Sequence, residues 1–235
     1  MSVVENVKHP SDTTNHLMLL QIGENISKYS DYYILKTDSL SDEYALQKMD
    51  EIEALNRLVP IQLKSLSLNI LKDFPKGKVS TYDYIPMSGL YYYVEEKNRP
   101  AWKFESGNAV FCGYNCKKAA VTLYGRNYTA WYTHEIPISD GPWKFWGLPG
   151  LILKITDDKN EYDFECIGIE KPRWTDAIYL NQQDCFPITK KRFNESVRKY
   201  YENPSALFES REVKVDGKTP EKIKSRPYNP IELSE

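Results

Sequence analysis

Histidine is scarce in this sequence, and so are the motifs on which many enzymes rely. Only three histidines occur among 235 residues, with no GxSxG nucleophile elbow, no HExxH helix and no glycine-rich phosphate loop. The sequence therefore predicts a non-catalytic protein. The alternative is an enzyme whose nucleophile and base meet only in the folded chain. The four cysteines lack the CxxC spacing typical of zinc sites, so no metal or other cofactor is predicted. The alternative is a metal-binding protein in which Cys residues and His134 bind zinc or copper.

The sequence also lacks an excess of either charge and a long hydrophobic run. Lys and Arg number 31, Asp and Glu number 33, and the formal net charge is −2. This balance argues against nucleic acid or an anionic membrane as partner. No apolar run approaches the roughly 20 residues that span a bilayer. Residues 1–4 also do not begin a signal peptide, so we predict no membrane span in this sequence.

Tyrosine, by contrast, is frequent, with 18 Tyr beside 5 Trp, which is typical of strands with half-buried faces. Alternating β-branched and aromatic runs predict strands at 17–22, 28–36, 78–84, 90–95, 100–104, 109–114, 117–124, 127–133, 151–156 and 161–169. Apolar residues at helical spacing predict a helix over 41–58. Residues 61–73 fit either a second helix or a buried strand. A last helix is predicted at 189–203, capped by Thr189.

These elements predict one β-rich domain over residues 1–204, with helices near 41–73 and 189–203. The fold class is α+β and mainly β, with a curved antiparallel sheet and helices packed on one face. Residues 205–235 are polar and interrupted by prolines, which predicts an extended or partly disordered tail.

Aromatic residues are interleaved with Gly and Pro in the loop at 141–150. Such a framework can hold flat apolar rings at the mouth of a sheet, where they bind a ligand. The candidate ligand-binding residues of this loop are Trp143, Phe145, Trp146, Leu148 and Pro149. The alternative is that Gly and Pro shape the turn and the rings fill one end of the core.

The strand at 127–133 is the second part of the candidate binding site. Alternation places Tyr128 and Tyr132 on one face and Trp131 on the other. Arg126, at the entrance of this strand, has a planar guanidinium that binds carboxylate or phosphate with two hydrogen bonds. Its alternative role is a structural ion pair with an acidic neighbour.

A six-residue string, Gly147-Leu148-Pro149-Gly150-Leu151-Ile152, carries a resemblance to a known family. Its surroundings fit too: Trp102, Gly113-Tyr114-Asn115-Cys116, Ala130-Trp131-Tyr132, Glu135-Ile136-Pro137 and the closing Tyr228-Asn229-Pro230-Ile231-Glu232-Leu233. Together these residues resemble the GLPGLI family of Bacteroidetes. The similarity is clear over about residues 100–170. A more distant likeness to lipoprotein-carrier-like half-barrels rests on Gly113-Tyr114, Ala130-Trp131-Tyr132 and the proline-rich loop.

The family resemblance implies an exported protein in the periplasm or at the outer membrane, whose signal peptide is not part of this sequence. Its members often lie beside outer-membrane receptor genes, and their biochemical role is not established. An oxidising compartment favours disulfides among Cys112, Cys116, Cys166 and Cys185. Cys112 and Cys116 lie about 13 Å apart on an extended strand, too far to join each other. We prefer Cys112 with Cys166, which leaves Cys116 with Cys185.

Two functional hypotheses follow. The first is a binding or accessory protein that engages an apolar or peptide-like ligand, or an outer-membrane receptor. As a carrier, it would hold an apolar cavity lined by residues 127–133 and the aromatic loop. The second is a structural interaction protein that docks an envelope partner through a sheet edge or its tail, which predicts an exposed apolar patch or an unpaired edge.

Overall fold

Two β-sheets make up most of the fold. The computed structural model describes residues 1–4, 11, 13–62, 66–171, 178, 185–206, 223–225 and 227–234. Its strands are β1 (Ser2–Val4), β2 (Thr13–Asn15), β3 (Met18–Ile22), β4 (Ser27–Asp31), β5 (Asn69–Lys72), β6 (Lys78–Ile85), β7 (Gly89–Glu96), β8 (Lys103–Phe111), β9 (Tyr114–Leu123), β10 (Arg126–Thr133), β11 (Leu151–Asp157), β12 (Tyr162–Glu165) and β13 (Phe186–Pro187).

The strands divide between a seven-stranded and a six-stranded sheet. The first has the order β2-β1-β12-β11-β10-β9-β8, and the second has the order β13-β7-β6-β5-β4-β3. Neighbours are antiparallel, except that β13 runs parallel to β7. The predicted mainly-β class with helices is confirmed, and its strands belong to two unclosed sheets. Strand β8 forms one edge of the first sheet, which leaves its outer side without a strand partner among the described residues.

The described residues include three helices, and one of them begins earlier than predicted. Helix α1 covers Tyr32–Leu46, because the Asp31 carboxylate caps it by accepting from the Tyr33 amide at 2.7 Å. The strand predicted at 28–36 therefore ends at Asp31. Helix α2 covers Glu51–Gln62. The helix predicted at 41–58 is thus two helices, separated where Lys48 adopts a φ of 52°.

The other two helical predictions have different outcomes. Helix α3 covers Lys190–Glu202, with Thr189 as its N-cap, and the prediction at 189–203 is confirmed. In the stretch 61–73, the structure places the end of α2 and then β5, and residues 63–65 lie outside the described residues. The buried-strand alternative therefore holds for its second half.

The main core lies between the two sheets. It comprises Tyr29, Ile70 and Val79 from the second sheet, Ala119, Val121, Tyr128, Ala130, Tyr132, Ile152, Ile155, Tyr162 and Phe164 from the first, and Trp143, Phe145 and Leu148 from the intervening loop. Along β10 the core residues are Tyr128, Ala130 and Tyr132, so the predicted alternation is confirmed. Burying each large apolar side chain stabilises the fold by about 1.5–3 kcal/mol.

The 141–150 loop is held between the sheets by a buried lysine and a close backbone contact. Lys72 on β5 pairs with Asp140 and donates to the Gly141 carbonyl at 2.6 Å. Burial lowers the pKa of Lys72, although Asp140 opposes that change. At the far end of the loop, a Cβ on Gly150 would lie 2.0 Å from the Thr133 carbonyl oxygen. Only glycine fits there, because the two backbones lie in contact.

Part of the predicted tail belongs to the folded body. Residues 227–234 pack against the first sheet and α3, and Ile231 contacts the main core. Residues 205–206 and 223–225 of the predicted tail are described as well, whereas residues 207–222, 226 and 235 lie outside the described residues. Among the helices that the structure describes, none combines the length and the apolar character needed to cross a membrane.

Candidate functional site

The aromatic loop lies inside the core. Trp143 and Phe145 are 1% and 0% exposed, and Leu148 is equally buried. The rings contact one another, with the Phe145 centroid 5.1 Å from Trp143 and 4.8 Å from Tyr128. Tyr132 is buried too. These four rings and Leu148 fill the space in which a carrier cavity was predicted, so they fit the alternative in which the loop completes the core.

The remaining candidates lie nearer the surface but apart from one another. Trp131 is half-buried and packs on Phe111, on the opposite face of β10. Trp146 is half-buried beneath the Lys97 ammonium, 4.3 Å from the ring centroid, and Pro149 is exposed. In the described part of the chain, open depressions lie beside Tyr228 and beside β8, and the aromatic loop lines neither of them.

Arg126 lies in a different setting, where it holds the segment at residues 227–234. Its side chain is 2% exposed. Its Nη1 donates to two carboxylates, Asp157 at 3.0 Å and Glu161 at 2.5 Å. Its Nη2 donates to the Asn229 side-chain oxygen at 2.6 Å and to the Pro230 carbonyl at 2.8 Å. Its Nε donates to the Ile231 carbonyl at 3.2 Å. A guanidinium has five N–H donors, so this set satisfies all of them. Arg126 therefore makes the predicted acidic pair and also binds a peptide backbone.

The turn before Arg126 also binds this segment. Tyr124 and Gly125 connect β9 to β10 with φ values of 46° and 81°, the left-handed conformations of a tight hairpin turn. The Tyr124 carbonyl accepts from the amides of Leu233 at 2.8 Å and Ser234 at 3.2 Å. A Cβ on Gly125 would lie 3.0 Å from the Leu233 Cβ. Glycine therefore permits both the turn and the close approach of the segment.

A buried cluster of four charges fixes the acidic residue of the segment. Lys144, between Trp143 and Phe145, donates to Glu95 on β7, to Glu232 at 2.6 Å and to the Tyr93 hydroxyl at 3.3 Å. Lys190, at the start of α3, lies 2.6 Å from Glu95 and 2.7 Å from Glu232. Two ammonium groups thus face two carboxylates, and one of those carboxylates comes from the 227–234 segment.

The electrostatics of this cluster follow from burial and pairing. Burial alone would lower the pKa of Lys144, but Tyr93, Glu232 and Glu95 outweigh it and hold that pKa well above its ordinary value. Burial acts to raise the pKa of Glu95, but Lys144 and Lys190 lower it overall. Lys144 also lies 5.1 Å from the Tyr124 ring centroid. Lys144 and Glu95 therefore both stay charged near neutral pH.

Three further contacts anchor the segment along its length. The Tyr162 hydroxyl donates to the Asn229 carbonyl, and the Asn229 side-chain amide donates to the Val4 carbonyl at 2.8 Å. The Tyr228 ring stacks on Tyr201 of α3, with centroids 4.6 Å apart. We call the surface formed by Tyr124, Arg126, Lys144, Tyr162, Glu95 and Lys190 the tail groove. It binds an extended chain through backbone groups, one amide side chain and one carboxylate.

Sequence reasoning found Arg126 but missed the other groove residues. Lys144 had one visible signal, since it is the charged residue between two aromatic residues in a stretch predicted to be apolar. The sequence gives no local pattern that indicates a binding role for Glu95, Lys190 or Tyr162. They are ordinary residues of predicted strands and of a predicted helix. Among the residues that the structure describes, no group of three or more His, Cys, Asp or Glu side chains is arranged to hold a metal ion.

The cysteines are free thiols, and three of them lie at one end of the seven-stranded sheet. Cys112 is exposed in the β8–β9 turn, and its thiol donates to the Cys166 carbonyl at 2.8 Å. Cys116 is buried beside Leu151, with Cys166 packed against the same apolar cluster. Cys185 lies near Tyr82 of the second sheet. The structure thus brings together the preferred pair but not Cys116 with Cys185.

Comparison with known proteins gives a family of unknown function and a fold. Residues 121–154 match a family described as "Protein of unknown function (Porph_ging)". This match agrees with the expectation of a bacterial family whose role is not established. The matched stretch contains Tyr124, Arg126 and Lys144 of the tail groove. No curated protein matches the sequence.

Two solved structures are similar in fold. They are titled "Structure of PNGF-II in C2 space group" and "Structure of PNGF-II in P21 space group". Each has a TM-score of 0.54 and 14% sequence identity, and the alignments cover 80% and 79% of this chain. They cover only 30% of the PNGF-II chain, so this chain spans less than a third of that protein's length. At this identity the likeness concerns the fold alone.

Proposed function

We propose that this chain is a non-catalytic interaction protein that holds an extended, acidic polypeptide segment in the tail groove. The observation that carries the proposal is the 227–234 segment, which the groove binds as it would bind a peptide ligand. Three successive carbonyls, those of Asn229, Pro230 and Ile231, accept hydrogen bonds from Tyr162 or Arg126. Backbone contacts of this kind give affinity for an extended chain.

Side-chain contacts give the groove its selectivity. The Asn229 amide binds Arg126 and the Val4 carbonyl, so an aspartate there would lose the donor half of this contact. Without Glu232, the buried cluster would hold the ammonium groups of Lys144 and Lys190 against the single carboxylate of Glu95. That excess positive charge in a buried site favours a segment with a carboxylate. The preferred ligand is therefore an extended segment with Asn three residues before Glu.

The setting of this activity rests on the family resemblance. We infer that the chain belongs to the GLPGLI family and acts in the periplasm or at the outer membrane, where its partner would be an outer-membrane receptor or another envelope protein. In this proposal the 227–234 segment occupies the groove until a partner segment replaces it. An apolar ligand has less support, because the aromatic residues that would line its cavity pack against one another.

A cleavable form of the full chain tests the proposal. A protease recognition sequence is placed between residues 207 and 222, and the folded protein is then cut. Chromatography followed by intact mass measurement shows whether the released fragment stays bound. We expect it to stay, and a fluorescent peptide with the sequence of residues 227–234 should then exchange into the groove in a saturable manner.

A matched peptide in which Glu232 is replaced by Gln is the control. We expect it to bind at least about tenfold more weakly, since hydrogen bonds to charged groups contribute about 1.5–3 kcal/mol. If the fragment cannot be exchanged, or if cutting unfolds the body, the segment is an integral part of the core and the proposal is wrong. Equal binding of the two peptides would remove the selectivity for a carboxylate.

The edge strand β8 supports a second candidate function, the docking of an envelope partner by strand addition. Its outer side carries no strand in the described chain, and Phe104 and Val110 are 63% and 64% exposed. The edge also carries features that protect edges from unwanted pairing, namely the charged Lys103 and Glu105 and the irregular pairing before Asn108.

Co-purification from the native envelope tests this function. A F104E/V110E double variant should lose the partner, and K117E should keep it. Retention by the double variant would exclude this edge.

A further inference from the structure

Two of the four cysteines, Cys112 and Cys166, lie close together at a site that is separate from the tail groove. Cys112 lies exposed at the tip of the β8–β9 hairpin, and Cys166 directly follows β12. The Cys112 thiol donates to the Cys166 carbonyl at 2.8 Å, and the two thiols interact closely enough that Cys112 raises the pKa of Cys166. These two cysteines are separated by 54 positions in the chain, so the contact is a product of the fold.

We propose that Cys112 and Cys166 are an oxidisable pair, which a disulfide-containing oxidant such as oxidised glutathione converts into an intramolecular disulfide. This inference stands on the cysteine geometry and is independent of the tail groove. A disulfide here would tie the hairpin tip to the end of β12.

The surroundings explain why these two thiols react with each other. Cys116 is 1% exposed, packs beside Leu151 and Leu153, and donates to the Tyr114 carbonyl, so a bulky oxidant cannot reach it. Cys185 lies beside Tyr82, on the other sheet. Among the four cysteines, all of which the structure describes, Cys112 is the exposed one. It is therefore the thiol that an oxidant meets first.

The order of the two steps follows from exposure and acidity. The Cys112 thiolate attacks one sulfur of the oxidant, forms a mixed disulfide and expels the first thiolate, which takes up a proton. The Cys166 thiol then loses its proton and attacks the Cys112 sulfur, which expels the second thiolate. Two protein thiols are oxidised and one oxidant disulfide is reduced to two thiols. Burial, and then the hydrogen bond with Cys112, raise the pKa of Cys166 to about 11. Cys166 is therefore not the thiol that makes the first attack.

The test uses the full chain in a glutathione buffer that is stepped from reducing to oxidising. Thiols are counted in denaturant, and the bonded cysteines are identified by peptide mass mapping. In the wild type we expect the count to fall from four to two, with the loss of two hydrogen masses and no bound glutathione. The variants C116S and C185S should close the same bond.

Two variants separate this assignment from its alternatives. In C166S, Cys112 should accumulate as a glutathione adduct, because no second thiol can release it. In C112S, no intramolecular disulfide should form under the same conditions, and this exposed position tolerates serine without unfolding. A mapped bond that includes Cys116 or Cys185, or a wild type that keeps glutathione on Cys112, would overturn the proposal.

Discussion

Replacing Glu232 by glutamine probes the tail groove where its charges are most closely packed. The side chain of Glu232 is 7% exposed and lies 2.6 Å from the Lys144 ammonium and 2.7 Å from that of Lys190. Glutamine has nearly the same shape and keeps one oxygen that can accept a hydrogen bond. The substitution therefore removes one negative charge and leaves the packing of the segment intact.

The magnitude follows from the two contacts that lose their charge. Breaking a buried ion pair by removing one partner costs about 3–5 kcal/mol. The amide oxygen of glutamine can still accept from one ammonium group, and a hydrogen bond to a charged group contributes about 1.5–3 kcal/mol. We therefore expect a loss of about 1–3 kcal/mol in the free energy that keeps the segment in the groove.

Two assays separate release of the segment from unfolding of the body. Amide hydrogen exchange at Leu233 reports the segment, because its amide is bonded to the Tyr124 carbonyl. A loss of about 1–3 kcal/mol should speed this exchange by about 5-fold to 150-fold if the segment opens locally. Urea unfolding reports the stability of the rest of the fold. That stability should fall only to the extent that the 227–234 segment and the rest of the fold unfold together.

Glu96 provides the matched control. It neighbours Glu95 on β7 and pairs with Lys78, but its side chain is 64% exposed. The variant E96Q should change stability by less than about 1 kcal/mol, as is usual for exposed ion pairs. If E232Q and E96Q behave alike in both assays, the charge cluster does not hold the segment and the reasoning fails.

Three other perturbations have defined outcomes. Gly125→Ala should speed hydrogen exchange at the Leu233 amide. The new Cβ would lie 3.0 Å from the Leu233 Cβ, and alanine disfavours a φ of 81°. An unchanged exchange rate would contradict this prediction. Phe145→Ala should lower the free energy of unfolding by about 3–5 kcal/mol in urea, since it leaves a cavity in the centre of the core. Because pairing with Lys144 lowers the pKa of Glu95 below its ordinary 4.5, the stability that Glu95 contributes is present above that pH. It should disappear as the pH falls through the lowered pKa, and a urea titration series from pH 7 to about pH 2 measures it.

Local patterns predicted the elements whose signals are strong within a few residues. Strand β10 alternates buried and less buried side chains from Arg126 to Tyr132, and α3 has a cap at Thr189 and an end before Pro204. The start of α1 is harder to predict, because Tyr32 and Tyr33 are residues typical of strands. The helix cap at Asp31 outweighs that preference for a strand. Its role as a cap is evident only from the structure, where helix α1 begins directly after it.

The tail groove was beyond prediction because its partners lie far apart in the chain. Arg126 meets Ile231 across 105 positions and Lys144 meets Glu232 across 88. Neither segment has a local pattern that indicates the other, and a motif such as Tyr228-Asn229-Pro230 shows only that the sequence is unusual. The loop at 141–150 shows the opposite problem. Its aromatic residues were visible, but whether they faced a ligand or the core depended on sheets that periodicity could not place.

The distance between Lys144 and Glu232 in the chain has a consequence for how the protein is made. Residues are synthesised from the N-terminus onward, so Lys144 and Arg126 emerge while the segment that binds them does not yet exist. Both sheets can pair at that time, but the buried ammonium groups face one carboxylate too few. A chain that ends shortly before residue 227 would therefore contain every described strand and helix, but the ammonium groups of Lys144 and Lys190 would lack the carboxylate of Glu232 and leave an excess of positive charge there.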